Sequence, residues 1–152
     1  MSPEESLRAL DAHYQAMPPV AAMRLRIAGY DGECLRLHAP LAQHVNDKGC
    51  AFGGSLVSLM TLSSWGLVSL RIREAGLQAD VFVADSSVRY LAPLYADLES
   101  ESRLAPDLRW SDFTATLRER GRARTTLSAR VPLPDGGTAT EGLARYVAIA
   151  RR

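Results

Sequence analysis

Residues 49–70, GCAFGGSLVSLMTLSSWGLVSL, contain no charged side chain. The run is long enough to be weighed as a bilayer span, but its glycines and hydroxyl residues dilute its hydrophobicity and no other segment has a membrane protein's pattern. Leu56, Leu59, Met60, Leu67 and Leu70 recur at helical spacing, while Ser55, Ser58, Leu62, Trp65 and Ser69 form a second face of smaller residues. A helix that is apolar all round belongs inside a protein. The spacing therefore predicts a helix from Ser55 to about Glu74, ended by Ala75-Gly76, and the rest of the chain has to wrap it.

The flanking sequence supplies strands. Met23 to Tyr30 alternates apolar Met23, Leu25 and Ile27 with Arg24 and Arg26, and Asp31-Gly32 is a preferred hairpin-turn dipeptide leading into residues 33–39. After the helix, VFVADSSVRYLAP (81–93) is rich in β-branched and aromatic residues up to Pro93, and another strand is expected over residues 96–104. Between Pro106 and Gly121 the period is ambiguous, and a short helix is favoured because Trp110, Phe113 and Leu117 share a helical face. Residues 122–131 and 138–150 read as two last strands joined by the turn cluster PLPDGG. The order hairpin, long helix, four strands describes an α+β architecture, a six-stranded antiparallel sheet wrapped around a long central helix.

At 152 residues the chain is expected to be one domain, with residues 1–18 as a helical extension beginning near Ser2-Pro3. Its 47% hydrophobic and 23% charged content are those of a soluble globular protein. Eighteen Lys plus Arg against seventeen Asp plus Glu leave a net charge of +1, so no global field attracts nucleic acid or a membrane surface. Cys34 and Cys50 are too few for a disulfide scaffold and fit no CxxC pattern, which points to free thiols in a reducing compartment. The N-terminal MSPEESLRALDAHYQAM carries charge where a secretory signal needs an apolar core, so a cytoplasmic protein is expected.

The segment 44–55, HVNDKGCAFGGS, resembles the Asn-x-x-Gly-x-x-His-Gly-Gly entrance of hotdog-fold acyl-thioesterases, with Asn46, Gly49, Gly53 and Gly54 in register. It is still more similar to the thioesterase domain at the C-terminus of YiiD-type proteins, whose pattern Asn-Asp-Lys-Gly-x-Ala-Phe-Gly-Gly-Ser, then Ala-Asp-Ser-x-x-Arg-Tyr-Leu, matches Asn46 to Ser55 and Ala84 to Leu91. The similarity runs from about Pro19 to Arg151; the acetyltransferase-like domain that precedes it in YiiD-type proteins has no counterpart in this sequence. The resemblance implies a hotdog fold, acyl-CoA or acyl carrier protein thioesters as substrates, and sites between paired chains. A homodimer or a dimer of dimers is therefore expected, since a sheet of this kind has open edges. Coenzyme A or phosphopantetheine would enter as part of the substrate, with no separate cofactor.

The chemistry of the entrance can be read from the residues themselves. Thioester hydrolysis passes through a tetrahedral oxyanion, and a helix N-terminus offers unpaired N–H groups and a positive dipole end. Gly53 and Gly54 let a carbonyl approach closely; alternatively the pair only permits a tight turn or close packing. Asn46 can position a thioester or a water, or can instead bond local backbone. Asp47, the sole carboxylate between Glu33 and Glu74, is the first candidate base. Asp85, in an otherwise apolar strand, is the second; simple alternation puts Val83, Asp85, Ser87, Arg89 and Leu91 on one face, with Asp85 and Arg89 as a same-face pair.

Familiar hotdog thioesterases carry an acid on the central helix, and here Thr61 stands at the matching position, with Phe52 in place of the usual histidine. Phe52, Thr61 and Trp65 are expected to line the acyl site. Arg89 is a candidate substrate-binding residue, and Arg120 and Arg122 are candidates for substrate phosphates, although the cluster Arg118 to Arg124 also suits a solvated face. His44 reads as a surface loop residue, and His13, His38 and His44 show no metal-ligand spacing. No Gly-x-Ser-x-Gly elbow, P-loop or dinucleotide fingerprint is present. The expected activity is acyl-thioester hydrolysis; the alternative is a non-catalytic acyl-binding or dimerisation module.

Overall fold

The computed structural model describes residues 2–151. Six strands, β1 (Arg26–Tyr30), β2 (Cys34–Ala39), β3 (Ala79–Tyr90), β4 (Leu98–Leu104), β5 (Arg122–Pro132) and β6 (Thr138–Ala150), form one sheet in the order β1-β2-β4-β5-β6-β3. Every neighbouring pair is antiparallel. The helix α3 (Gly53–Glu74) packs on one face of this sheet, with the shorter α1 (Pro3–Ala16), α2 (Pro18–Ala21) and α4 (Trp110–Arg120) around it. The architecture anticipated from the charge-free run is the one observed.

Local chemistry explains where element boundaries differ from expectation. Strand β1 starts at Arg26 because Arg24 adopts a left-handed backbone (φ 53°), closing the turn after α2. In the hairpin, the Asp31 carboxylate accepts from the Glu33 and Cys34 N–H groups at 2.9 and 2.7 Å, and Gly32 takes the positive φ. The ambiguous stretch after Pro106 is the helix α4, which buries Trp110, Phe113 and Leu117 and ends at left-handed Gly121.

Although α3 is long and apolar enough to cross a bilayer, protein surrounds much of it. Leu56, Leu59, Met60, Leu67, Val68 and Leu70 are buried. Its internal hydroxyls are matched rather than stranded: Ser63 Oγ meets Ser100 Oγ at 2.7 Å, and Ser64 Oγ meets Ser102 Oγ at 3.0 Å on β4. On another side α1 lies against α3, where fully buried Tyr14 donates to the Leu62 carbonyl at 2.7 Å. Gly66 makes that approach possible, since a Cβ there would overlap the Tyr14 hydroxyl. At the far end of α3, Arg71 lies 5.2 Å from the Trp110 ring centroid and Arg118 donates to the Ala75 carbonyl at 2.8 Å.

Strand β3 breaks the simple alternation. Val83 pairs with Tyr146 and Asp85 with Arg145, so Ala84 is an extra residue in the ladder, a β-bulge. Side chains therefore change face there. Val83 lies on the α3 side with Ser86, Val88 and Tyr90, whereas Asp85, Ser87 and Arg89 share the outer face, correcting the expected grouping of Val83 with Asp85. Among the described residues only β6 pairs with β3, which leaves its other edge open.

Candidate active site

The loop before α3 is a tight structure held by its own polar groups. Val45 and Ala51 form an isolated bridge, the Asn46 N–H donates to the Cys50 carbonyl at 2.8 Å, and Gly49 supplies φ 82°. The Asn46 side-chain carbonyl accepts from the Lys48 and Cys50 N–H groups at 2.8 and 3.2 Å, and its amide points at Cys50 Sγ, 3.3 Å away. This is the local bonding weighed as its alternative role. Asp47, next to it, projects into solvent: its side chain is 81% exposed and, among the described residues, pairs with Lys48 Nζ alone, at 3.0 Å.

His44 is not the surface residue expected. It is buried, with Nε2 2.8 Å from the Met23 carbonyl and Nδ1 2.8 Å from Ser55 Oγ. A carbonyl can only accept, so Nε2 carries the proton, and in the neutral ring Nδ1 accepts from the Ser55 hydroxyl. His44 thus ties the entrance loop to the first turn of α3 and to the segment before β1. No sequence signal marks this, because its partners are set by tertiary structure.

The helix begins two residues earlier than its periodicity suggests, so Gly53 and Gly54 form its first turn, with Phe52 as N-cap and no side-chain cap bond. The Ser55 and Leu56 N–H groups donate back to the Phe52 carbonyl at 3.0 and 3.1 Å. Those of Gly53 and Gly54 have no partner among the described residues. Aromatic rings flank the pair. Tyr90 donates to the Gly53 carbonyl at 3.1 Å, and its ring would stand 3.3 Å from a Cβ at Gly53. A Cβ at Gly54 would lie 2.6 Å from the Phe52 ring, itself 56% exposed. Close packing and free N–H groups thus coexist at this turn.

Gly54, Ser58, Leu62 and Trp65 follow one another up α3 as a stripe that is not fully buried, with Thr61 beside it. It carries no carboxylate. Thr61 lines a void of about 20 Å³ with Ser64, Ser86 and Tyr146, room for about one water. Burial pushes the Tyr146 phenol up to about 12, while bonds with Ser64 and Thr61 pull the other way. Trp65 donates its indole N–H to the Val81 carbonyl at 2.9 Å and meets the His13 ring edge-on, with centroids 5.0 Å apart.

Asp85 and the arginines lie elsewhere in the chain. Arg145 Nε is 3.0 Å from both Asp85 carboxylate oxygens on the outer face of the sheet, and this partner holds the carboxyl below its usual range. Arg89 faces Glu141 at 3.5 Å. Arg122 is registered with Ile149, which is opposite Asp80, so it lies level with the start of β3 but across β6 from it, while Tyr90 at the end of β3 touches Gly53. Arg120 ends α4 in the same region. A single chain therefore gathers Asn46, Asp47, Phe52, Gly53 and Gly54 at one end of α3; Arg89, next to Tyr90, is near that end but turned outward to Glu141, and Asp85, Arg120 and Arg122 lie elsewhere. Among the described residues no cluster of His, Cys, Asp and Glu could hold a metal ion.

Comparison with known proteins adds to this geometry. A family model described as "Putative thioesterase (yiiD_Cterm)" matches residues 8–150. The chain is similar to a protein of unknown function from Chlorobaculum tepidum, at 26% identity and TM-score 0.92, covering 99% of this chain and 98% of that one. It is also similar to a structure from Shewanella oneidensis described as a "putative thioesterase", at 28% identity and TM-score 0.85, covering 96% and 99%. A thioesterase from Haemophilus influenzae shares the hotdog fold at 14% identity, with TM-score 0.72 and coverage of 93% and 90%.

Proposed function

Because the chain belongs to the yiiD_Cterm thioesterase family, we propose that it hydrolyses acyl thioesters of coenzyme A or acyl carrier protein in the cytoplasm. The observation that carries this reading is the pair of N–H groups of Gly53 and Gly54, without partners among the described residues, at the start of a 22-residue helix; Asp47 stands exposed at the tip of the loop that leads into it. Their donors and the helix dipole suit an oxyanion. In the proposed reaction Asp47 takes a proton from water as its oxygen attacks the thioester carbon. The tetrahedral oxyanion is held by the two glycine N–H groups. The C–S bond then breaks, and the proton returns to the departing thiolate. Asn46 shapes the loop that presents Asp47. Asp85 is the weaker candidate, since Arg145 lowers its basicity.

The proposed working unit is a homodimer, open to further pairing as a dimer of dimers. Supporting it are the unpaired edge of β3 and the exposed Phe82, Val83, Tyr90 and Leu91 along it. Antiparallel pairing of two β3 edges would bring the start of one strand to the end of the other. Arg120 and Arg122 of one copy would then approach Gly53 and Gly54 of the second, where substrate phosphates can use them.

Thiol release from acyl-CoAs by wild type, Asp47→Ala and Asp85→Ala tests this. Loss of about 10²-fold or more in kcat for Asp47→Ala is expected; an unchanged rate would refute that base. The second reading, an acyl-binding module without catalysis, is favoured by Thr61 and the absence of a carboxylate on the exposed stripe. It would be upheld by binding without any thiol release.

A further inference from the structure

A cavity of about 530 Å³ lies between α1, the second half of α3 and the start of β3, away from the entrance glycines. Its size falls in the range of small-ligand sites. Ala9 and Leu10 of α1 form one wall, Trp65 and Leu70 of α3 the floor, and Val81 of β3 the other side, while His13, Asp80 and Arg151 stand at polar positions around it. The Trp65 ring is fixed by its bond to the Val81 carbonyl and by its contact with His13, so this part of the floor is preorganised.

We infer that this cavity is the acyl-chain site and that α1 sets the chain length it accepts. The inference rests on the thioesterase reading for the identity of its ligand. An apolar floor with polar groups around it suits a linear acyl group, and a two-carbon acyl group would leave most of the space unfilled. Trp65 stands ~16 Å along the helix axis from Gly54 of the same chain, too far for a short acyl chain to span. In the antiparallel pairing proposed above, the start of β3 faces the end of the second copy's β3, so the second copy's Gly53 and Gly54 would hold the carbonyl of a chain lying in this cavity. Ala9 is then a specificity determinant: it is a small residue on the α1 wall, and a larger one would shorten the space.

The test compares kcat/KM for acetyl-, octanoyl- and palmitoyl-CoA in wild type and Ala9→Trp, with circular dichroism and melting curves to establish folding. The expected result is preference for octanoyl-CoA in wild type and a fall of about tenfold or more in the octanoyl-to-acetyl ratio in the variant. A ratio moved by less than about twofold in a folded variant overturns the inference. Hydrogen exchange with octanoate itself supplies a readout that needs neither catalysis nor a variant: residues 3–16 and 78–82 should gain protection, and their failure to do so at saturating octanoate also overturns it. If no thioester is cleaved but octanoate protects these segments, the cavity stands and the hydrolase reading falls. If thioesters are cleaved without such protection, the reverse holds.

Discussion

His44 joins a loop to a carbonyl twenty-one residues earlier and to the first turn of α3, and both ring nitrogens are engaged. Replacing it with Ala removes the partner of the part-buried Met23 carbonyl and leaves a gap where the buried ring was, so His44→Ala should lose about 2 kcal/mol of stability, read as a lower urea midpoint at unchanged slope. A midpoint within experimental scatter of wild type would show the two bonds to be dispensable. Asn46, Gly53 and Gly54 stand out in the sequence because short-range motifs carry them. The burial of His44 does not, because Met23 and Ser55 become its neighbours only once the sheet has closed around α3. Asp85 is similar: its residue type draws attention, yet its partner Arg145 is on a strand sixty residues away.

At the scale of elements, helical and strand periodicities were legible wherever one face is buried without interruption, as in α3 and β5. Strand β3 was legible as a strand but not in its facing, since an extra residue at Ala84 leaves no mark in the alternation. The contact of α1 with α3 depends on one glycine. Gly66→Ala would drive a methyl group into the buried Tyr14 hydroxyl and toward Leu35 Cδ2, 2.9 Å from the Cβ position. Overpacking of this kind costs about 1–3 kcal/mol. The expected outcome is release of α1, read as rapid exchange of amides 3–16 while α3 stays protected; equal protection in both proteins would mean the crossing can relax around a methyl group.

For the whole molecule, acid is the informative stress. Asp31 is held low by the Cys34 and Glu33 N–H groups, Asp85 by Arg145, and Asp97 chiefly by the Leu41 N–H. Each has a folded value below the ordinary 3.8, so in acid the unfolded chain binds more protons than the folded one. Their contribution is complete above the ordinary value and is lost as pH falls through the folded ones. The urea midpoint should therefore drop on acidification below about pH 4, and Asp85→Asn combined with Asp97→Asn should flatten that drop; an identical slope in the double variant would place the acid sensitivity in other groups. The bulge at Ala84 also sets how far this protein can tolerate changes in chain length. Removing Ala84 would join Val83 to Asp85 in an uninterrupted ladder and leave both on the faces they now occupy, Val83 toward α3 and Asp85 outward. A single-codon deletion there removes only the spare residue, whereas the loss of any one paired residue between Asp85 and Tyr90 would turn the stretch beyond it inside out.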